Sequence, residues 1–198
     1  MKSTLFNMVA VLFTITLIAS AGVGAVNMIT EDAIAEANRQ ATVAAVANVL
    51  PAFEKSEMST MTIDEMPINI YTAVDGSGAV VGYAVETMTM SGFSGKVRMM
   101  VGFDAEGTIL NVNVLEQSET PGLGSKMCDE GNVLLASVQG KNPANLKLKV
   151  KKDGGDIDAL TAATISSRAY ADAVARAYEA FKVASGAQES TDGVSGAT

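Results

Sequence analysis

Residues 68–117 read INIYTAVDGSGAVVGYAVETMTMSGFSGKVRMMVGFDAEGTILNVNVLEQ, and their rhythm decides the fold. Four β-rich runs, at 68–74, 79–90, 96–103 and 108–117, are separated by DGSG, SGFSG and DAEG. Clusters of Gly, Ser and Asp supply the backbone freedom and local hydrogen bonds that tight turns need, so the spacing predicts antiparallel strands joined as hairpins. In the last run Val112 and Val114 alternate with Asn111 and Asn113, the period of a strand with one buried face.

Outward from this block, SETPGLGSKM (118–127) is too rich in Gly and Pro for a strand interior and is read as a loop. A short helix is expected at 129–138. LKLKVKK (146–152) predicts a strand with Lys147, Lys149 and Lys151 on one face, either solvated or a patch for an acidic partner, followed by the turn DGGD. From Arg168, the positions of Tyr170, Val174, Ala177, Tyr178 and Phe181 predict a packed helix that ends before Gly186. On the N-terminal side, Ala33, Ile34, Ala37, Ala41, Ala44, Ala45 and Val49 share a helical face that stops at Pro51, and MSTMTIDEMP (58–67) is read as loop. The expected class is α+β, a mainly antiparallel sheet with flanking helices behind an N-terminal transmembrane helix. The divisions are an anchor at 1–30, an amphipathic helix and connecting loop at 31–66, a domain at 67–184 and a flexible tail at 185–198.

No charged residue lies between Ser3 and Thr30, a stretch long enough, at about 1.5 Å per residue, to cross a hydrocarbon core of roughly 30 Å. It reads as a single-pass anchor in membrane lipid. The other reading is a cleaved signal peptide, with Met8 to Ile18 as the apolar region and ASA at 19–21 as the cleavage site. Lys2 precedes the span and Glu31, Asp32 and Glu36 follow it, which favours a cytoplasmic N-terminus and an exported domain.

A net charge of −8 argues against a nucleic-acid partner. With no histidine and only Cys128, the chain lacks the side chains for a Ser-His-Asp or Cys-His nucleophile, a haem ligand, an iron-sulfur cluster or an ordinary zinc site. No metal site and no catalytic side chain is expected. The eleven methionines read as core filling, with a Cu(I) thioether site as the alternative. Redox work by such a chain needs an organic cofactor.

DALTAATISSR (158–168) gathers four hydroxyls where the last helix begins. A helix start carries unpaired N–H groups and a partial positive potential, a site for a phosphate. The same hydroxyls serve equally as ordinary N-caps.

DALTAATISS resembles the flavinylation motif Asp-x-x-Ser/Thr-Gly-Ala-Thr-x-Ser/Thr, and ETPGLG (119–124) resembles a second signature of the same covalent-FMN family. That family includes the G subunit of the Rnf electron-transport complex and the C subunit of the sodium-pumping NADH:quinone reductase. The resemblance implies covalent FMN, joined through its phosphate to Thr164 by a flavin transferase. It implies that Asp158, Thr161, Ala163, Ser166 and Ser167 shape the turn or bind the phosphate. It also implies that Glu119, Thr120, Gly122, Leu123 and Gly124 form a wall by the flavin. The implied role is an electron carrier in a translocase complex of the cell inner membrane, coupling ferredoxin:NAD+ electron transfer to Na+ or H+ export with other membrane subunits. The FMN domain would lie on the periplasmic or outer face. The quinone-reductase counterpart is the alternative within the family, and an anchored scaffolding or binding domain without cofactor is the alternative outside it. Two departures stand out: Ala162 occupies the usual glycine position, and DGVSGAT (192–198) repeats the motif with its glycine, making Thr198 a second candidate acceptor.

Overall fold

The computed structural model describes residues 5–192. Thr198 and the end of the tail lie outside the described residues. Two compact units divide the chain, residues 1–41 and 42–198. Helix α1 (Leu5–Val49) supplies the first unit and, with its last turns, enters the second.

Within the first unit, α1 is long and apolar enough to cross a membrane. Its outer surface carries exposed Leu5, Phe6, Leu12, Phe13, Leu17 and Ile18. Its threonines are satisfied within the helix: Thr14 Oγ1 donates to the Ala10 carbonyl (2.8 Å) and Thr30 Oγ1 to that of Val26 (2.9 Å). Such back-bonding satisfies a hydroxyl where no water is available. No break separates the apolar stretch from residues 31–49, so the expected second helix is the continuation of the first.

The second unit is built on a five-stranded antiparallel meander, β1-β2-β3-β4-β5. Its strands are β1 (Lys55–Ile63), β2 (Met66–Val74), β3 (Val80–Gly92), β4 (Gly95–Phe103) and β5 (Ile109–Gln117). The four expected strands are β2 to β5. The fifth corrects the sequence expectation, since most of the segment read as loop at 58–67 belongs to β1 and the turn Asp64-Glu65. The sheet therefore starts at Lys55, ahead of the expected domain start at 67.

Each face of the sheet is covered by a helix. Ile70, Val85, Met99, Val101 and Phe103 face α3 (Thr164–Asp192), which buries Tyr170, Val174, Ala177 and Phe181 against them. Phe181 stacks on Phe103 at 5.0 Å and meets Tyr83 edge-on at 5.3 Å. On the opposite face Ala45, Val46, Val49 and Leu50 pack on Ala73, Ala84 and Met100. Beyond that helix end, one polar group from each strand continues across the face. Thr60 Oγ1 donates to Asn69 (2.9 Å), and Asn69 and Arg98 both donate to Glu86 (3.0 and 2.6 Å). Arg98 also pairs with Glu116 at 3.4 Å.

After β5 come a 3-10 turn at Gly124–Cys128, the short helix α2 (Val133–Val138) and two further 3-10 turns at Pro143–Asn145 and Lys151–Asp153. α2 starts where the Asn132 side chain accepts from the Leu134 and Leu135 N–H groups, both at 3.0 Å. The expected strand at 146–152 does not form. Lys149 N–H bonds the Lys147 carbonyl (2.7 Å) and Ile157 N–H bonds that of Lys149 (3.0 Å), folding the segment back onto itself around DGGD. Only an isolated bridge, Val150 to Ile157, remains, and the three lysines do not form a strand row. α3 starts earlier than expected and runs past Gly186 to Asp192, so the tail expected to be flexible from 185 is helical to that point.

Close approach decides one position. A Cβ on Gly102 would collide with the carbonyl oxygen of Val49, so the sheet admits the end of α1 only because this residue has no side chain. Gly102→Ala is expected to destabilise the second unit by roughly 1–3 kcal/mol in urea denaturation of the full chain in detergent. Gly186→Ala, which adds its methyl in open space on a helix, is the neutral-to-stabilising control.

Candidate cofactor site

The sequence LTAAT turns the chain from an irregular segment into α3. Ala163 N–H bonds the Leu160 carbonyl (3.1 Å), and the Ala163 carbonyl accepts from Ser167 N–H (3.0 Å), the first bond of the helix. Thr164 is thus the first helical residue. It does not occupy the cap position, and its hydroxyl finds no partner among the described residues. The hydroxyls that do hold the turn are its neighbours. Ser167, fully buried, accepts from Leu160 N–H and donates to the Ala163 carbonyl, both at 2.9 Å. Ser166, also buried, donates to the Glu119 carboxylate.

Glu119 opens the ETPGLG loop and is itself buried. Its other oxygen accepts from the Ser94 N–H at 3.0 Å, at the tip of the β3–β4 hairpin. The loop closes on itself through Leu123 N–H to the Thr120 carbonyl (3.1 Å) and Gly122 N–H to Ser125 Oγ (2.9 Å). Gly124 lies so close to Ser166 Oγ and Glu119 that any Cβ there would overlap both.

These segments enclose an open cleft of about 320 Å³, lined by Phe93, Thr120, Leu123, Gly124 and residues 162–166. That size is at the lower end of the ~300–1,000 Å³ usual for small-molecule sites. Its walls are chemically divided. Phe93, 66 % exposed at the hairpin tip, Leu123 and Ile165 are apolar. Thr164, Ile165 and Ser166 bring the first N–H groups of α3, which have no acceptor within the helix. A planar apolar ring system with a phosphate tail fits that division.

Of the residues expected at a cofactor, Thr120, Leu123, Gly124, Ala163, Thr164 and Ser166 line the cleft. Glu119 and Ser167 lie behind its wall as braces. Asp158, Thr161 and Gly122 do not line it. Asp158 clamps the segment from outside: its N–H donates to Ser137 Oγ (2.9 Å) and its carboxylate pairs with Lys151 (2.7 Å). The hydrogen bond from Lys151 holds the Asp158 carboxyl below its ordinary value. This clamp is complete above the unfolded value of about 3.9 and is lost as pH falls through the folded one. Sequence reasoning missed Phe93 and Ile165. An aromatic stranded among Gly and Ser in SGFSG was the available signal for the first.

Residues 92–179 match the FMN-binding domain family, an interval containing every residue that lines the cleft. Over 173 residues the chain is 35 % identical to the G subunit of the ion-translocating oxidoreductase complex of Shewanella amazonensis, covering 81 % of this chain and 80 % of that protein. The chain belongs to the family of G subunits of ion-translocating oxidoreductase complexes. Another member, from Shewanella baltica, is 32 % identical over 89 % of each chain. The G subunit of the Na(+)-translocating ferredoxin:NAD(+) oxidoreductase complex of Acetobacterium woodii is 28 % identical, covering 89 % of this chain and 91 % of that one. Among solved structures, Shewanella oneidensis NqrC is 21 % identical, with a TM-score of 0.39 over 67 % of this chain and 65 % of that chain.

Within this member of the G-subunit family, Ala162 has φ of 59°, the left-handed region where a side chain costs about 1–2 kcal/mol. Ala162→Gly is expected to stabilise the domain by about 1 kcal/mol, read as a raised urea midpoint for the full chain. An unchanged or lowered midpoint contradicts the strain.

Proposed function

We propose that this chain is the electron-carrying G subunit of a membrane-bound ferredoxin:NAD+ oxidoreductase (Rnf) complex, with FMN joined through its phosphate to Thr164 Oγ1. The observation that carries the attachment is the position of that hydroxyl. It has no hydrogen-bond partner among the described residues and lies on the cleft wall, at the first residue of a helix whose open N–H groups favour a phosphate.

When bound, FMN supplies the redox chemistry that the side chains lack. The chain holds it: Phe93, Leu123 and Ile165 offer apolar cover, and Ser167 and Glu119 keep the acceptor turn in shape. Attachment is the work of a flavin transferase acting on FAD. The Thr164 oxygen loses its proton, forms the new bond to the FMN phosphorus and displaces AMP. A covalent tether suits an exported domain, because it sustains an effective concentration of order mM or higher where free cofactor would be diluted.

Lys2 before the span and Glu31, Asp32 and Glu36 after it support a cytoplasmic N-terminus, with the domain on the periplasmic or outer face of the inner membrane. The apolar stretch carries no ionisable group, so the path for Na+ or H+ belongs to other membrane subunits.

Co-expression with a flavin transferase tests the attachment by in-gel fluorescence of the denatured protein. The wild-type band is expected to fluoresce and the Thr164→Val band to be dark. A dark wild-type band overturns the proposal in favour of an anchored domain without cofactor, and a bright Thr164→Val band moves the attachment elsewhere.

A further inference from the structure

Glu119 stands out because its carboxylate touches every wall of the cleft without lining it. One oxygen accepts from Ser94 N–H, next to Phe93, and the other from Ser166 Oγ in the first turn of α3. Its Cβ and Oε2 both lie 2.8 Å from the position a Cβ on Gly124 would take. Only 4 % of the residue is exposed. Its oxygens meet a backbone N–H and a hydroxyl, and no cation pairs with them among the described residues. Gly124 and Ser166, which line the cleft, both lie directly against this carboxyl group.

Resting on the FMN assignment above, we infer that Glu119 is a positioning residue that also sets the potential of the flavin, its buried charge biasing the cofactor toward the oxidised form. Each electron taken up without a proton adds one negative charge, and a nearby carboxylate in a poorly solvated site opposes that uptake. At an effective dielectric of ~20 and a separation of several ångströms, one charge changes such an equilibrium by roughly tenfold or more. The neutral donors fix the carboxylate in place and leave its charge uncompensated. A brace without an electrostatic role would move stability and leave the potential alone.

The test is spectroelectrochemical titration of the flavin-loaded full chain in detergent, with urea denaturation alongside. In Glu119→Gln the side chain keeps its size and loses its charge. At the wild-type midpoint potential the reduced-to-oxidised ratio is expected to rise about tenfold, with FMN still attached. Ser166→Ala keeps the charge and removes one donor, so its potential is expected to fall below the wild-type value while stability drops. A Glu119→Gln flavin at the wild-type potential, or a rise in Ser166→Ala equal to that in Glu119→Gln, overturns the assignment. If Glu119→Gln does not fold, Ser166→Ala decides alone: a potential below wild type, from a less shielded carboxylate, upholds the assignment, and one at or above wild type overturns it. A wild-type chain that takes no flavin from the transferase overturns the FMN assignment itself, and this inference with it.

Discussion

The acceptance of two hydrogen bonds by the Glu119 carboxylate joins three segments distant in sequence: the β3–β4 hairpin tip, the ETPGLG loop and the start of α3. Hairpin and loop leave from neighbouring strands of one sheet, while α3 is fixed by packing Tyr170, Val174 and Phe181 on the face of that sheet. The cleft exists because a helix positioned by apolar burial has its first turn brought to a loop by one polar contact. A buried carboxylate without donors costs several kcal/mol, so the contact also constrains the fold: the three segments must meet for Glu119 to be tolerated.

The same economy explains how a chain without histidine, and with one cysteine, supports redox function. The fold contributes a hydroxyl, a row of unpaired N–H groups and apolar walls, and leaves electron chemistry to FMN. The hydroxyls at the start of α3 divide the work. Ser167 closes the turn, Ser166 bonds the brace, and Thr164 alone among these three has no hydrogen-bond partner among the described residues. Ala162 holds the turn in a left-handed conformation, so this chain carries local strain two residues before Thr164.

Much of this was legible in the residues. Strands β2 to β5 announced themselves because turn clusters bounded runs rich in β-formers, and β5 alternated clearly. β1 did not, because an edge strand with almost every side chain exposed has no buried face to impose alternation. LKLKVKK erred in the opposite way. Its alternation is real, but DGGD folds the backbone onto Lys147 and Lys149 before any neighbouring strand can pair with it. At the site, the two motifs located segments that line the cleft. They could not divide lining from bracing residues, because whether Ser166 meets a phosphate or a carboxylate depends on Glu119, 47 residues away. Phe93 was hidden for a related reason: its place in the wall follows from the β3–β4 hairpin tip meeting Glu119, 26 residues further along the chain.

The central claim, attachment at the unbonded Thr164 hydroxyl of the acceptor turn, is most directly tested by peptide mapping of the flavin-loaded chain. Trypsin releases residues 153–168 as one peptide holding Thr161, Thr164, Ser166 and Ser167, and residues 183–198 as another ending at Thr198. Fragmentation is expected to place a single FMN phosphoester on Thr164. FMN on another hydroxyl of that peptide, or on the tail peptide with residues 153–168 unmodified, contradicts the claim.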